Sequence, residues 1–444
     1  MKKAILFAAA VLLLTACYKE CDETEKTDPT QEQQETTEVA DTARCSVLVY
    51  VAGDNNLTGS TGGEDYLLHD VQQMMEGSRS MATNDRLVLF VDQYGKKPYF
   101  MQVQNGDTLR LKTMPKELKS SDPETLYEAM KFVTDSFPAK SYGLVLWGHA
   151  DGWITRGEAA SRSDGGTLRS APRKAYGVDY IGGRTWMNIP DMAKALTRLP
   201  KMRFIFADCC AFLCVENAYE LRNCADYIIG SAAEIPGEGA PYQTVVPAMF
   251  SQQDDFYRQV VDAYYAQTSY GYKVPLAAVE TCQLDLLAQA TATAMGTFAN
   301  DIEPDADGCR YPDVDSLIFY YDHTQFDMQD FMLRYASAEQ YAEWKKVFDK
   351  AVPYHTFAEV WMANHIKFKD LYQTVFSEFT PTVERQSGLG MFVPQRDSDA
   401  DLWARLYPSY PNYLSNLGVN MSYLNASIKK MQWYQAAQLS DMGW

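Results

Sequence analysis

The sequence predicts an α/β fold with a mostly parallel sheet and helices on both of its faces. Short apolar runs rich in Val, Ile, Leu and Phe recur up to Ser231, each ending in turn residues. Stretches of helical periodicity separate them, the alternation expected of crossover units. The chain has 444 residues, 46% hydrophobic and 22% charged, enough apolar material for a sizeable core.

The elements follow in order. Residues 46–52 (SVLVYVA) read as a buried parallel strand closed by Gly53-Asp54-Asn55-Asn56. Helical periodicity covers 65–75, and 86–92 (RLVLFVD) is a second strand. Asp122-Pro123 reads as an N-cap and first helical residue, and Pro138 closes that helix. Residues 142–147 (YGLVLW) form a third strand, and 152–174, rich in Gly and Arg, an exposed loop. A helix from Ile189-Pro190 leads to a fourth strand at 204–207, a helix at 215–222 and a fifth strand at 227–231. Beyond about residue 245 the pattern is mainly helical, with one β-like run at 388–394.

The N-terminus has a different character. Met1-Lys2-Lys3 is basic and 4–16 is apolar, too short to span a bilayer but suited to a signal-peptide core. Leu14-Thr15-Ala16-Cys17 resembles the lipobox of bacterial lipoproteins, which implies lipidation of Cys17 and an outer-membrane location, facing the periplasm or the cell surface. Residues 18–44 carry nine acids and three bases with little that is apolar, the composition of a solvated tether. The expected organisation is therefore a signal peptide at 1–16, an acidic tether at 17–44, a catalytic core at 45–250 and a mostly helical C-terminal part at 251–444 that completes the core.

A net charge of -18 argues against nucleic acid as a partner, because phosphate binding needs a basic face. An odd count of nine cysteines in a chain this long does not read as a disulfide scaffold, and the absence of CxxC and HExxH patterns argues against a zinc enzyme. No metal site and no cofactor are expected. Asp54, Asn55 and Asp92 could supply oxygens to calcium, though no loop here has EF-hand spacing.

Reactive groups stand where open α/β sheets place ligands, beyond the carboxyl ends of strands. His149 follows the third strand, and Asp208-Cys209-Cys210 follows the fourth. A thiol near a helix N-terminus is expected to favour thiolate, and a histidine on the neighbouring strand end can exchange its proton. Only one of Cys209 and Cys210 can face that histidine if the segment stays strand-like.

The surrounding residues sharpen this reading. YGLVLWGHADGW (142–153) and FADCCAFLCVENAYELRNCADY (206–227) resemble the histidine and cysteine motifs of the clostripain family of cysteine peptidases. SVLVYVAGDNNL, PAKSYGLVLW, NIPDMAKAL and SGLGMFVP also look familial, in the right order over roughly 45–395. The resemblance implies a caspase-like α/β/α sandwich with a mainly helical C-terminal elaboration. It implies endopeptidase cleavage after Arg or Lys, so the partners are protein or peptide substrates with a basic P1 residue. Cys210 falls on the family nucleophile and His149 on its histidine, with Asp208 shaping the P1 pocket. Glu238, in a loop resembling a segment that lines the same cleft, is a second acid for that pocket. The oxyanion hole falls on the backbone N–H groups of Ala150 and Cys210.

Two positions depart from the family pattern. Ala150 replaces a glycine, and Gly148 stands where an acid is common. Arg156, Arg162, Arg169, Arg173 and Lys174 make 152–174 a candidate for self-cleavage. The competing readings are an inactive caspase-like binding lipoprotein and a cysteine-dependent acyltransferase or amidase.

Overall fold

In strand β1 (Ala43–Gly53), every residue but one is buried. The odd residues Val47, Val49 and Val51 pack into one apolar cluster, and Leu48, Tyr50 and Ala52 into another. Alternation with both faces apolar is what a central parallel strand requires. The computed structural model describes residues 42–59, 65–155, 175–180, 185–266, 272–303, 311, 316–321, 324–363, 366–367, 381–394 and 421–444. The signal peptide, Cys17, nearly all of the tether and the basic run 156–174 lie outside them.

The other strands are β2 (Arg86–Gln93), β3 (Tyr99–Gln104), β4 (Asp107–Thr113), β5 (Ala139–Gly148), β6 (Tyr176–Asp179), β7 (Thr185–Met187), β8 (Met202–Asp208), β9 (Ala225–Ser231), β10 (Leu276–Glu280), β11 (Phe319–Tyr321), β12 (Gln325–Asp327) and β13 (Tyr354–His355). Eight of them join β1 in one sheet in the order β13-β10-β9-β8-β5-β1-β2-β3-β4. The five central strands are parallel, and antiparallel strands extend both edges.

The expected mostly parallel α/β fold is therefore present. The expectation missed the antiparallel edges. One is the hairpin β3–β4, whose turn residues Asn105 and Gly106 both have positive φ. The other is β10 with β13, which brings residues beyond 250 into the sheet.

Helices cover both faces. On one side lie α1 (Tyr66–Ser78), α5 (Tyr242–Met249) and α6 (Phe256–Tyr265); on the other lie α2 (Pro123–Ser136), α3 (Ile189–Leu196) and α4 (Val215–Glu220). The α2 start is the expected one: the Asp122 carboxylate accepts from Glu124 N–H at 3.0 Å, and Pro123 fills the first turn. In the C-terminal part, α7 (Leu284–Phe298) and α9 (Ala338–Ala351) contribute buried Leu287, Trp344 and Phe348 to the larger cluster. The β-like run at 388–394 shortens to the two-residue strand Gly390–Met391, which pairs with β12.

Chain order reverses at β1. The chain runs outward from β1 to β2, then returns to place β5 on the other side of β1. In an open sheet this switch point opens a crevice beyond the carboxyl ends of the two strands.

Candidate active site

A cleft of about 520 Å³ lies at that crevice, and His149, Cys210, Asp208 and Glu238 all line it. Register explains the convergence. Ala52 pairs with Gly148, and Trp147 pairs with Asp208, so β1, β5 and β8 end at nearly the same level. Neighbouring strands lie about 4.8 Å apart, so residues just past those ends face one another.

The thiol is presented on a tight turn. Directly after Cys210 the chain enters the left-handed region at Ala211, with φ 54°. That conformation is fixed by Ala211 N–H to Ala233 O at 2.9 Å and Leu213 N–H to Ser231 O at 2.9 Å. The Gln325 amide also donates to the Ala211 carbonyl. The two adjacent cysteines separate: Cys209 is wholly buried in the core, whereas Cys210 is partly exposed on the cleft.

The expected help from a helix dipole does not materialise. Helix α4 begins only at Val215 and has six residues, so its N-terminus is remote from the thiol. Burial pushes the Cys210 thiol up to about 12, the Glu234 carboxylate adds to the rise, and a backbone hydrogen bond at Ile235 partly offsets it. At neutral pH the resting thiol is protonated.

His149 is held from two sides. Its carbonyl accepts from Gly177 N–H at 2.8 Å, and its Nε2 lies 3.0 Å from Asn56 Oδ1. Gly148 before it has φ 143°, and a Cβ there would lie 2.8 Å from the Ala52 carbonyl oxygen. Only glycine suits that position, so the missing acid follows from the backbone. Ala150 is not among the positive-φ residues, so alanine fits there without strain. It bridges to Tyr176 through bonds made by its neighbours, Gly177 N–H to His149 O and Asp151 N–H to Ala175 O. That bridge leaves Ala150 N–H uncommitted to it.

Asp208 forms part of the cleft wall. Its Oδ2 accepts from Tyr242 Oη–H at 2.7 Å and Ala240 N–H at 3.2 Å, while Oδ1 is buried and makes no close hydrogen bond among the described residues. Burial raises its pKa to about 6, with the Tyr242, Ala240 and Tyr264 donors holding it down. Gly239 makes room for it, since a Cβ there would lie 2.8 Å from Oδ2. Behind this wall Asp70, also buried, accepts from Trp147 Nε1–H at 2.6 Å; burial and the Asp208 charge raise it to about 9.

The candidate calcium ligands are arranged differently from expectation. The Asn55 amide binds Ala52 O and Val178 O, each at 2.9 Å, and its oxygen accepts from Leu57 N–H, so it serves the turn. Asp92 is buried and raised to about 8 by desolvation and by Asp179. Among the described residues no group of three His, Cys, Asp or Glu side chains is placed to hold a metal ion.

Sequence reasoning missed Asn56, Tyr242 and Gln325. Each reaches the site from a separate segment; Asn56 stood in the turn 53–56 and Tyr242 in the loop 234–242, both already noted, while Gln325 stood in none.

The clostripain family model matches residues 49–421. The chain belongs to the clostripain family of cysteine peptidases. Members of this family need no cofactor in general. A secreted C11 cysteine protease from Bacteroides thetaiotaomicron, solved with an irreversible peptide inhibitor, shares the fold at 23% identity and a TM-score of 0.66, over 90% of this chain and 99% of that one. An inactive zymogen C11 protease from Parabacteroides distasonis is similar at 26% identity and a TM-score of 0.65, over 89% of this chain and 98% of that one. No curated protein sequence matches the chain. The clostripain-family chain is thus a hydrolase with a caspase-like fold, acting on protein or peptide substrates.

Proposed function

We propose that this peptidase cleaves after Arg or Lys through a Cys210–His149 dyad and a thioester intermediate. The observation that carries the reading is the convergence of Cys210, His149 and Asp208 on one cleft from two adjacent strand ends. A carboxylate buried in the cleft wall is suited to pairing with a guanidinium or ammonium group. Glu238, half-buried on the same cleft, adds negative charge to its wall.

Because the thiol rests protonated, attack on the scissile carbonyl requires His149 to take the Cys210 proton as the carbon–sulfur bond forms. The oxyanion is stabilised by the N–H groups of Ala150 and Cys210. The imidazolium then gives its proton to the leaving amine as the carbon–nitrogen bond breaks. Water, deprotonated by His149, hydrolyses the thioester and releases the carboxylic acid.

A panel of fluorogenic peptides ending in Arg, Lys, Leu or Glu tests this. The Arg and Lys substrates are expected to be cut by wild type and left intact by Cys210→Ala. Equal cleavage of the neutral and acidic substrates would contradict the reading.

We further propose that the chain is an exported lipoprotein anchored through Cys17. Its basic and apolar leader and its lipobox support this, and so does Cys282, which is disulfide-bonded. Radiolabelled fatty acid is expected to enter wild type but not Cys17→Ser; equal labelling would contradict it.

A further inference from the structure

We propose that Asn56 is a positioning residue that orients His149 and selects which of its ring nitrogens acts as the base. The inference rests on the reading of His149 as a member of the dyad. His149 Nε2 and the Tyr180 hydroxyl lie 3.0 and 3.3 Å from Asn56 Oδ1. An amide oxygen accepts and never donates, so Nε2 carries the hydrogen. In the neutral ring Nδ1 is then the basic nitrogen, left to take the thiol proton and later return it.

The turn that carries Asn56 is built to hold it still. Its neighbour Asn55 is fully buried and ties the turn to Ala52 and Val178, each at 2.9 Å. Thr58 Oγ1–H donates to Gly53 O at 2.6 Å, and Tyr180 N–H donates to Asp54 O at 3.0 Å. Asn56 itself is exposed, and the bonds of its amide oxygen go to His149 and Tyr180, both lining the cleft. The switch point supplies the geometry: Asn56 follows β1, His149 follows β5, and the two strands are paired up to Ala52 and Gly148. A group that fixes the base without touching substrate acts on the chemical step, where a 1 Å misplacement costs up to about 100-fold in rate.

The test compares Asn56→Ala, Asn56→Asp and His149→Ala in the purified full chain, reading kcat, KM, the pH profile of kcat/KM and Tm. Asn56→Ala is expected to lower kcat about 10- to 100-fold with KM and Tm unchanged. Asn56→Asp keeps an acceptor and removes the amide donor. It is expected to recover most of kcat and to move the acid limb of the profile to higher pH, because a carboxylate stabilises the imidazolium and the base must be neutral to take the thiol proton. Wild-type kcat and pH profile in Asn56→Ala, with His149→Ala inactive, would overturn the inference while sparing the dyad. A loss in Asn56→Ala that Asn56→Asp leaves unrecovered, with the acid limb unmoved, would overturn it too. Full activity in His149→Ala would overturn the dyad reading and this inference with it.

Discussion

The hydroxyl of Tyr242, at the start of α5, donates a 2.7 Å hydrogen bond to Asp208, at the end of β8, and so sets the charge of the cleft wall. Burial alone drives the Asp208 pKa upward; Tyr242 is the strongest of the donors that pull it back to about 6. Below about pH 6 the carboxyl is protonated and loses its attraction for a basic P1 side chain. KM for Arg and Lys substrates is therefore expected to rise as pH falls through 6. In Tyr242→Phe the ionised form loses a donor, so the rise is expected to begin at a higher pH. Steady-state kinetics from pH 5 to 8 on both proteins checks it; identical pH dependence would contradict the role given to Tyr242.

Asp208→Asn keeps shape and removes charge. It is expected to lower kcat/KM about 100-fold or more for Arg and Lys substrates, as losing a charge-assisted pair does. A uniform loss over basic and neutral substrates would point to damage elsewhere.

Cys209 and Cys210 are adjacent in sequence and unlike in surroundings. Cys209→Ala removes a buried sulfur from the core and is expected to cost about 1 kcal/mol of stability with turnover retained. Cys210→Ala is expected to abolish turnover with stability nearly unchanged. Chemical denaturation and peptide hydrolysis on both variants separate the two effects.

Gly148→Ala forces a side chain into a backbone at φ 143° and against the Ala52 carbonyl. A loss of about 1–3 kcal/mol is expected. A fall in kcat is expected alongside it, since the next residue is His149. Urea unfolding curves give the first and kinetics at saturating substrate the second.

Stability should fall as pH rises. Asp70 has an ordinary unfolded value near 3.8 and a folded value of about 9, so between them the native state holds the extra proton. Linkage then makes stability highest at the acid end of that window and lost progressively towards pH 9. Asp92, at about 8, and Glu216, at about 7, act in the same direction. Tm is expected to be higher at pH 5 than at pH 8.5, with a shallower slope in Asp70→Asn; a flat profile would contradict it.

Much of the central sheet was readable from the sequence because a buried parallel strand must be apolar on both faces, as Val47 to Ala52 are. That His149 and Cys210 line one cleft was readable because both stand at strand ends, where open sheets place ligands. The hairpin at Asn105-Gly106 carried a strong turn signal that went unread. The second layer of the site was hidden for a different reason. Asn56 meets His149 across 93 residues, and Gln325 meets Ala211 across 114. Such pairings depend on strand register and on how the C-terminal part closes over the sheet, which local patterns do not encode. The surroundings of the thiol were misjudged because α4, which begins at Val215 as the sequence indicated, starts five residues past Cys210, while burial raises the thiol.

The most direct test is to react the protein with a peptide bearing P1 Arg and a thiol-reactive warhead, then map the adduct by mass spectrometry. A single adduct is expected on Cys210, absent with a P1 Glu probe and slowed in His149→Ala. An adduct on Cys209, Cys214 or Cys224, or equal labelling by the Arg and Glu probes, would contradict a basic-specific Cys210 nucleophile.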